Sequence, residues 1–160
     1  MMMRYSTLAL GLAVLCGCAH APNASDPHDL MAIGDRIFHL GCPSTATVTE
    51  RKVPNPHQPT VIDTIKTTSC DGIELSTYVG VLASNPTGLS IYVELRKPHK
   101  ELPRYMNVGE PLPGLIHVLG KPSEQTADSV TYRVGEVDDS VTFSVRDGQI
   151  RSVRWDWYLD

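Results

Sequence analysis

Apolar and polar residues alternate in two segments near the end of the chain. Six apolar positions carry this pattern: Val130, Tyr132, Val134, Val141, Phe143 and Val145. A period of two is typical of β-strands that bury one face. The pattern therefore predicts two neighbouring strands that share an apolar face.

The Asp147-Gly148 pair that follows predicts a turn into a further strand. A two-residue turn would place Val145 opposite Ile150 and send Trp155 to the face away from Phe143. A type I turn with Gly148 as a bulge shifts the pairing by one residue, and we prefer it. It would bring one set of side chains to a single face that a helix can cover: Val141, Phe143, Val145, Val153, Trp155 and Trp157.

A short helix is predicted before these strands. Its apolar positions have helical spacing: Leu112, Leu115, Ile116 and Leu119. Pro111 is tolerated in a first turn, and Gly120 with Pro122 ends the helix. Pro113 and Gly114 weaken it.

Residues 45–95 are rich in β-branched residues and turn residues, with little sign of helix. Strands are predicted over residues 45–53, 60–68, 73–82 and 89–95. The turns between them are predicted at residues 54–59, 70–72 and 85–88. The whole pattern indicates an α+β protein in which short helices pack on an antiparallel β-meander.

The N-terminus has the features of a bacterial export signal. Arg4 precedes an apolar run from Leu8 to Leu15, which is too short to span a bilayer. The following residues resemble the lipobox of bacterial lipoproteins, with Leu15 three places before Cys18 and a small residue directly before it. We predict a signal peptide over residues 1–17 and lipid on Cys18, and the alternative is an ordinary signal peptide cut near Ala19 or Ala21.

Under this interpretation residues 18–29 form a flexible tether, rich in Pro, Asn, Ser and Asp. The acyl chains, palmitate among them, would hold the protein in a membrane. Because Asp does not follow Cys18, sorting to the outer membrane is expected, with the protein facing the periplasm. In that oxidising compartment Cys42 and Cys70 are expected to form a disulfide, and no His stands at ligand spacing from either to favour a metal site.

A family resemblance covers roughly residues 102–158. It rests on these positions: Gly109, Leu115, Leu119-Gly120, Pro122, Val130-Thr131-Tyr132, Val141-Thr142-Phe143, Asp147-Gly148 and Val153. They resemble the small outer-membrane lipoprotein domain of the BamE (SmpA/OmlA) type, whose fold is related to the modules of β-lactamase inhibitory protein. The resemblance implies two helices on a three-stranded meander. Pro111 departs from it, because the family usually has Ser or Thr there.

Two modules are predicted after the tether, a β-rich module over residues 30–97 and a BamE-like α+β module over residues 98–160. Residues 31–44 are similar in sequence to residues 106–123, and residues 71–78 to residues 128–132. This similarity indicates either a degenerate tandem repeat or chance. The boundary is expected at residues 98–103. A single continuous sheet is the alternative.

The composition argues against several functions. The chain of 160 residues carries a formal charge of −4 without a basic cluster, which disfavours nucleic acid as a partner. No nucleophile elbow, phosphate loop, dinucleotide fingerprint or zinc-protease motif occurs, so no enzyme activity, small-molecule substrate, metal or other cofactor is expected. The acidic run at residues 136–139 is better explained as a solvated hairpin tip than as a calcium loop.

Aromatic residues near the C-terminus have two interpretations. Trp155 and Trp157 share one sheet face, which favours a place in the core. Alternatively they form, with Tyr158, Arg151 and Arg154, an aromatic patch that binds a protein partner. The leading hypothesis is a non-catalytic, membrane-anchored envelope lipoprotein that binds a protein, by resemblance within outer-membrane assembly or maintenance. The alternative is a periplasmic inhibitor or immunity protein that blocks a secreted enzyme or toxin.

Overall fold

The computed structural model describes residues 27–82, 88–135 and 138–158. They form two α-helices, α1 (Pro27–Leu40) and α2 (Leu112–Leu119), and a short 3-10 helix at Arg104–Met106. The strands are β1 (Thr47–Pro54), β2 (Ile62–Cys70), β3 (Ile73–Val79), β4 (Leu89–Leu95), β5 (Glu124–Gln125), β6 (Ser129–Val134), β7 (Asp139–Arg146) and β8 (Gln149–Asp156). Helix α1 thus starts within the segment 18–29 expected to be a tether. The predicted signal peptide and Cys18 lie outside the described residues.

All eight strands belong to one antiparallel sheet in the order β1-β2-β3-β4-β8-β7-β6-β5. The strands predicted in the first half are present as β1 to β4, and those predicted in the second half as β6 to β8. Strand β4 pairs with β8 from Tyr92↔Asp156 to Leu95↔Val153. The sheet is therefore continuous across the module boundary expected at residues 98–103.

One face of the sheet carries the core. Among the described residues, seventeen apolar side chains from the sheet, α1, α2 and the segment between β4 and α2 form a single buried cluster, with Val93, Leu115, Phe143 and Trp155 fully hidden from solvent. In α2 the predicted apolar spacing places Leu115 inward, and Gly120, with φ of 79°, ends the helix as expected. The mixed α and β character predicted from the sequence is confirmed.

The hairpin between β7 and β8 corrects one prediction. Asp147 and Gly148 have φ of 56° and 71°, so the connection is a two-residue type I′ turn rather than a type I turn with a bulge. Val145 pairs with Ile150, but Ser144 pairs with Ser152, so Arg151 is the extra residue of a bulge inside β8. That bulge returns Val153 and Trp155 to the buried face. The sequence predicted the same face for both residues, but from a bulge at Gly148 in the turn.

The predicted disulfide joins the end of α1 to the end of β2. Cys42 and Cys70 are bonded, with Cα atoms 5.9 Å apart and a sequence separation of 28. The predicted turn between β2 and β3 follows directly, and Asp71 and Gly72 hold positive φ there. The bond fixes the chain at the point where it leaves the helix for the sheet.

Candidate functional site

The second face of the sheet is polar and no described helix covers it. Successive strand partners form a row that crosses all eight strands: Thr47, Ser69, Glu74, Glu94, Arg154, Thr142, Thr131 and Glu124. A neighbouring row contains Thr49, Thr67, Ser76, Tyr92, Asp156, Ser140 and Arg133. We call these two rows the open face. They result from alternation, because on β3, β4, β8, β7 and β6 each member lies one residue from a core side chain.

Tyr92 and Arg154 form the centre of the open face. The Arg154 guanidinium carbon lies 3.8 Å from the centre of the Tyr92 ring, a cation–π contact. Arg154 Nε donates to both carboxylate oxygens of Asp156, at 2.8 and 2.9 Å. Desolvation lowers the pKa of Arg154, but the hydrogen bond and charge of Asp156, together with the charges of Tyr92 and Glu94, outweigh it and the net shift is upward. The charged side chain is thus held in one place.

Acidic side chains surround this centre and are all paired. Tyr92 donates its hydroxyl to Glu74 Oε1 at 2.6 Å, and this bond is the main cause of the lowered pKa of Glu74. Arg96 contacts Glu94 at 2.6 Å and Glu74 at 3.4 Å. Three carboxylates and two guanidinium groups are therefore held together by ion pairs and hydrogen bonds, with one negative charge in excess.

A shallow cavity of about 440 Å³ lies beside the cluster. Its walls come from five strands: Thr49, Glu50, Arg51, Ile65, Thr67, Ser76, Ile91, Tyr92 and Arg154. Hydroxyl groups, two isoleucines, one aromatic ring and two guanidinium groups are mixed in one depression. Such a mixture can accept a side chain that is partly apolar and partly polar.

A second polar cluster closes one end of the sheet around Asp63, whose side chain is buried. Its carboxylate accepts hydrogen bonds from the Tyr78 hydroxyl, from Asn55 Nδ2 at 2.7 Å and from the Val81 amide at 2.8 Å. The Tyr78 bond is the main reason that the pKa of Asp63 is lowered, and burial opposes the shift. The network ties the β1–β2 loop to the end of β3.

The two tryptophans of the predicted aromatic patch pack inward. Trp155 is fully buried, and its Nε1 donates to the carbonyl oxygen of Leu30 at 2.8 Å. Trp157 is partly buried against the core, with its ring 5.5 Å from that of Phe38 in an edge-to-face contact. Trp155 thus lies in the core and Trp157 packs against it, in agreement with the first of the two interpretations.

The other three residues of that patch are dispersed. Tyr158 is exposed, and its amide donates to Asp139 Oδ1. Arg151 is the bulged residue at the hairpin and lies 3.6 Å from Asp147. Arg154 alone belongs to the open face. The predicted patch is therefore not a single surface.

Sequence reasoning missed the partners of Arg154 on β4. Tyr92, Glu94 and Arg96 alternate with Val93 and Leu95, so their shared face was visible in the sequence. Their neighbours on β8 were not, because the β4–β8 pairing joins residues about 60 positions apart. Among the residues described, no group of three or more His, Cys, Asp or Glu side chains is placed to hold a metal ion.

A scan against protein-family models, a search of curated proteins and a search of solved structures each found no match to this chain.

Proposed function

We propose that this protein is a non-catalytic envelope lipoprotein that binds a protein partner through the open face. The observation that carries this proposal is the asymmetry of the sheet. Over β3, β4, β8, β7 and β6 one face carries the buried core, whereas the other face presents an ordered polar surface across eight strands. A broad surface of that kind suits a macromolecule better than a small substrate.

The chemistry of the open face supports a protein partner. Tyr and Arg are enriched where proteins bind each other, and Tyr92 with Arg154 provides both at the edge of a cavity. Because hydrogen bonds and ion pairs already hold these side chains, little conformational entropy is lost on association. The cavity would receive an anchoring side chain of the partner.

The lipid anchor on Cys18 is part of the proposal and rests on the sequence. Among the residues that the structure describes, no helix is long and apolar enough to cross a membrane. The apolar run from Leu8 to Leu15, followed by Cys18, supports attachment through acyl chains. We place the protein at the outer membrane, facing the periplasm.

The tandem arrangement and the BamE-like character of the second half also belong to this proposal. Each half supplies one α-helix followed by antiparallel strands, and the last strand of each half pairs with the other at the centre of the sheet. This order supports two degenerate modules joined edge to edge. A role in outer-membrane assembly or maintenance follows from the resemblance of the second half.

Site-specific photo-crosslinking in cells tests the binding surface. Thr49 and Val48 are adjacent and exposed on β1, but only Thr49 belongs to the open face. A photoreactive residue at position 49 should yield a discrete crosslinked protein, and the same residue at position 48 should not. Thr49→Arg should then weaken partner capture, while Val48→Arg leaves it intact. Equal crosslinking from both positions would contradict the proposal.

The identity of the crosslinked protein separates the two candidate functions. A barrel-assembly or envelope-maintenance component supports the leading proposal. A secreted enzyme or toxin whose activity falls on addition of this protein supports the inhibitor or immunity alternative. One observation supports the inhibitor or immunity alternative. The sheet is continuous across both halves, so it provides a broad surface that could cover the active site of an enzyme.

Lipid attachment has its own test. Cells fed labelled palmitate should incorporate the label into the wild-type protein and not into Cys18→Ser. Cys16→Ser is the matched control, since Cys16 is preceded by the bulky Leu15. Label retained by Cys18→Ser would exclude the anchor.

A further inference from the structure

Four large apolar side chains are exposed together at one end of the sheet. Val81 and Leu82 are 66% and 67% exposed, Leu89 is 53% exposed and Ile62 is 47% exposed. We call these four residues the apolar tip. They belong to the start of β2, the turn after β3 and the start of β4, which antiparallel order brings to the same end.

The apolar tip is held in place by the Asp63 network. The Val81 amide bonds to Asp63, which follows Ile62 directly, so the two parts of the tip are joined through one carboxylate. Leu89 pairs with Tyr78, whose hydroxyl bonds to the same carboxylate. The apolar side chains are therefore presented on an ordered support.

The exposed charges on the two strands beside Ile62 are mainly cationic. On β1 and β2 they are three cations, Arg51, Lys52 and Lys66, and one carboxylate, Glu50, which is in register with Lys66. The nearest carboxylate, Asp63, is buried and bonded to three donors. An apolar surface with basic residues at its margin is complementary to a membrane with anionic headgroups.

Other described acidic residues at this end belong to the far half of the sheet. Asp156 ends β8, next to β4, and is paired with Arg154. Asp138 precedes β7 and Asp139 begins it, and β7 is separated from β3 by β4 and β8, or about 14 Å at the usual strand spacing. Asp138 forms an ion pair with Arg133, and Asp139 accepts the amide of Tyr158. They do not offset the cationic margin beside Ile62.

The length of chain before α1 allows the apolar tip to reach the membrane. Helix α1 begins at Pro27, and a chain from Cys18 to that point spans at most about 30 Å. Leu30 contacts Trp155, which pairs with Val93, four positions along β4 from Leu89. That separation is about 13 Å along the strand, well within the span of the chain.

We propose that the apolar tip inserts into the interface of the lipid bilayer that holds the anchor. This inference rests on the lipid anchor of the proposed function. Insertion would stand the strands upright on the membrane and leave the open face exposed sideways to a partner. The anchor raises the local concentration of the tip at the bilayer, so a weak affinity of the tip is sufficient.

Depth-dependent fluorescence quenching tests this proposal. The full chain, purified from membranes, carries Leu82→Trp and is reconstituted into phosphatidylglycerol-containing vesicles with and without brominated acyl chains. The matched control is Leu40→Trp, because Leu40 is 57% exposed and lies near the disulfide at the other end of the sheet. The wild-type signal of Trp155 and Trp157 is subtracted, and circular dichroism checks that each variant is folded.

We expect the emission of Leu82→Trp to shift to shorter wavelength and to be quenched by brominated lipid, while that of Leu40→Trp is unchanged. Equal quenching of both variants, or of neither, overturns the proposal. If Leu82→Trp is unquenched but weakens capture of the crosslinked partner, the tip binds protein instead of lipid, and the proposal is also overturned.

The mass of the N-terminal peptide in the same samples reports the anchor separately. Lipid on Cys18 together with an unquenched Leu82→Trp leaves the anchor valid and overturns tip insertion. Quenching of Leu82→Trp without lipid on Cys18 supports tip insertion and rejects the anchor. The two proposals can thus fail independently.

Discussion

Gly34 of α1 lies directly against the indole ring of Trp155. A Cβ atom added at Gly34 would approach Trp155 Cδ1 to 2.5 Å, well inside van der Waals contact. The absence of a side chain at this position therefore sets how closely α1 can pack on the sheet. It also leaves the Trp155 N–H within reach of the Leu30 carbonyl oxygen.

Gly34→Ala should destabilise the protein. The better helix propensity of Ala contributes up to about 1 kcal/mol, but forcing a methyl group into a filled core costs roughly 1–3 kcal/mol. We expect a net loss of unfolding free energy, measured by chemical denaturation. Gly114→Ala in α2 is the control, because nothing lies within 4 Å of the added atom, and it should be neutral or stabilising. Equal effects of the two substitutions would contradict the packing argument.

Loss of the disulfide should cost a large share of the stability. Cys42 and Cys70 close a loop with a sequence separation of 28, which corresponds to about 3–4 kcal/mol in the chain-entropy model. We expect the Cys42→Ala/Cys70→Ala protein to lose about this amount in denaturant titrations. Reducing agent should shift the wild-type curve toward the variant and leave the variant curve unchanged.

The Asp63 network should make stability depend on acid pH. Because the folded pKa of Asp63 lies below its ordinary 3.8, the carboxylate contributes stability above that pH and loses it as pH falls through the folded value. Tyr78→Phe removes the hydrogen bond that contributes most to this shift. The stability difference between wild type and Tyr78→Phe should be largest near neutral pH and shrink in acid. Tyr158→Phe, at an exposed tyrosine, should show no such trend.

Tyr92→Phe should raise the pKa of Glu74 toward its ordinary 4.5. The Tyr92 hydrogen bond is the largest single cause of the lowered value, ahead of the hydrogen bond of Arg96, so Arg96→Lys, which keeps the charge, should raise it less. Carboxylate NMR titration measures both shifts. The loss of stability should be about 1 kcal/mol or less, because the pair is partly solvated. A larger rise in Arg96→Lys would reverse our assignment of the dominant contact.

The sequence alone determined most of the strands and the second helix. Alternation along β6 and β7, the turn residues between β1 and β4, and the spacing of Leu112, Leu115 and Leu119 are local signals, and local signals determine local structure. The pairing of Cys42 with Cys70 was also accessible, since these are the two cysteines that remain beyond the predicted lipid site. None of these inferences required a contact between distant strands.

Tertiary structure decided which side chains share a face of the sheet. The bulge at Arg151 could not be placed from the sequence, because the two-residue turn at Asp147-Gly148 would by itself turn Trp155 away from Phe143, and packing against the core favours the extra residue that buries it. The β4–β8 pairing likewise brings Tyr92 to Arg154 across a long stretch of chain. The candidate site depends on that pairing because a sheet face is assembled from several strands, whereas a sequence pattern describes one strand at a time.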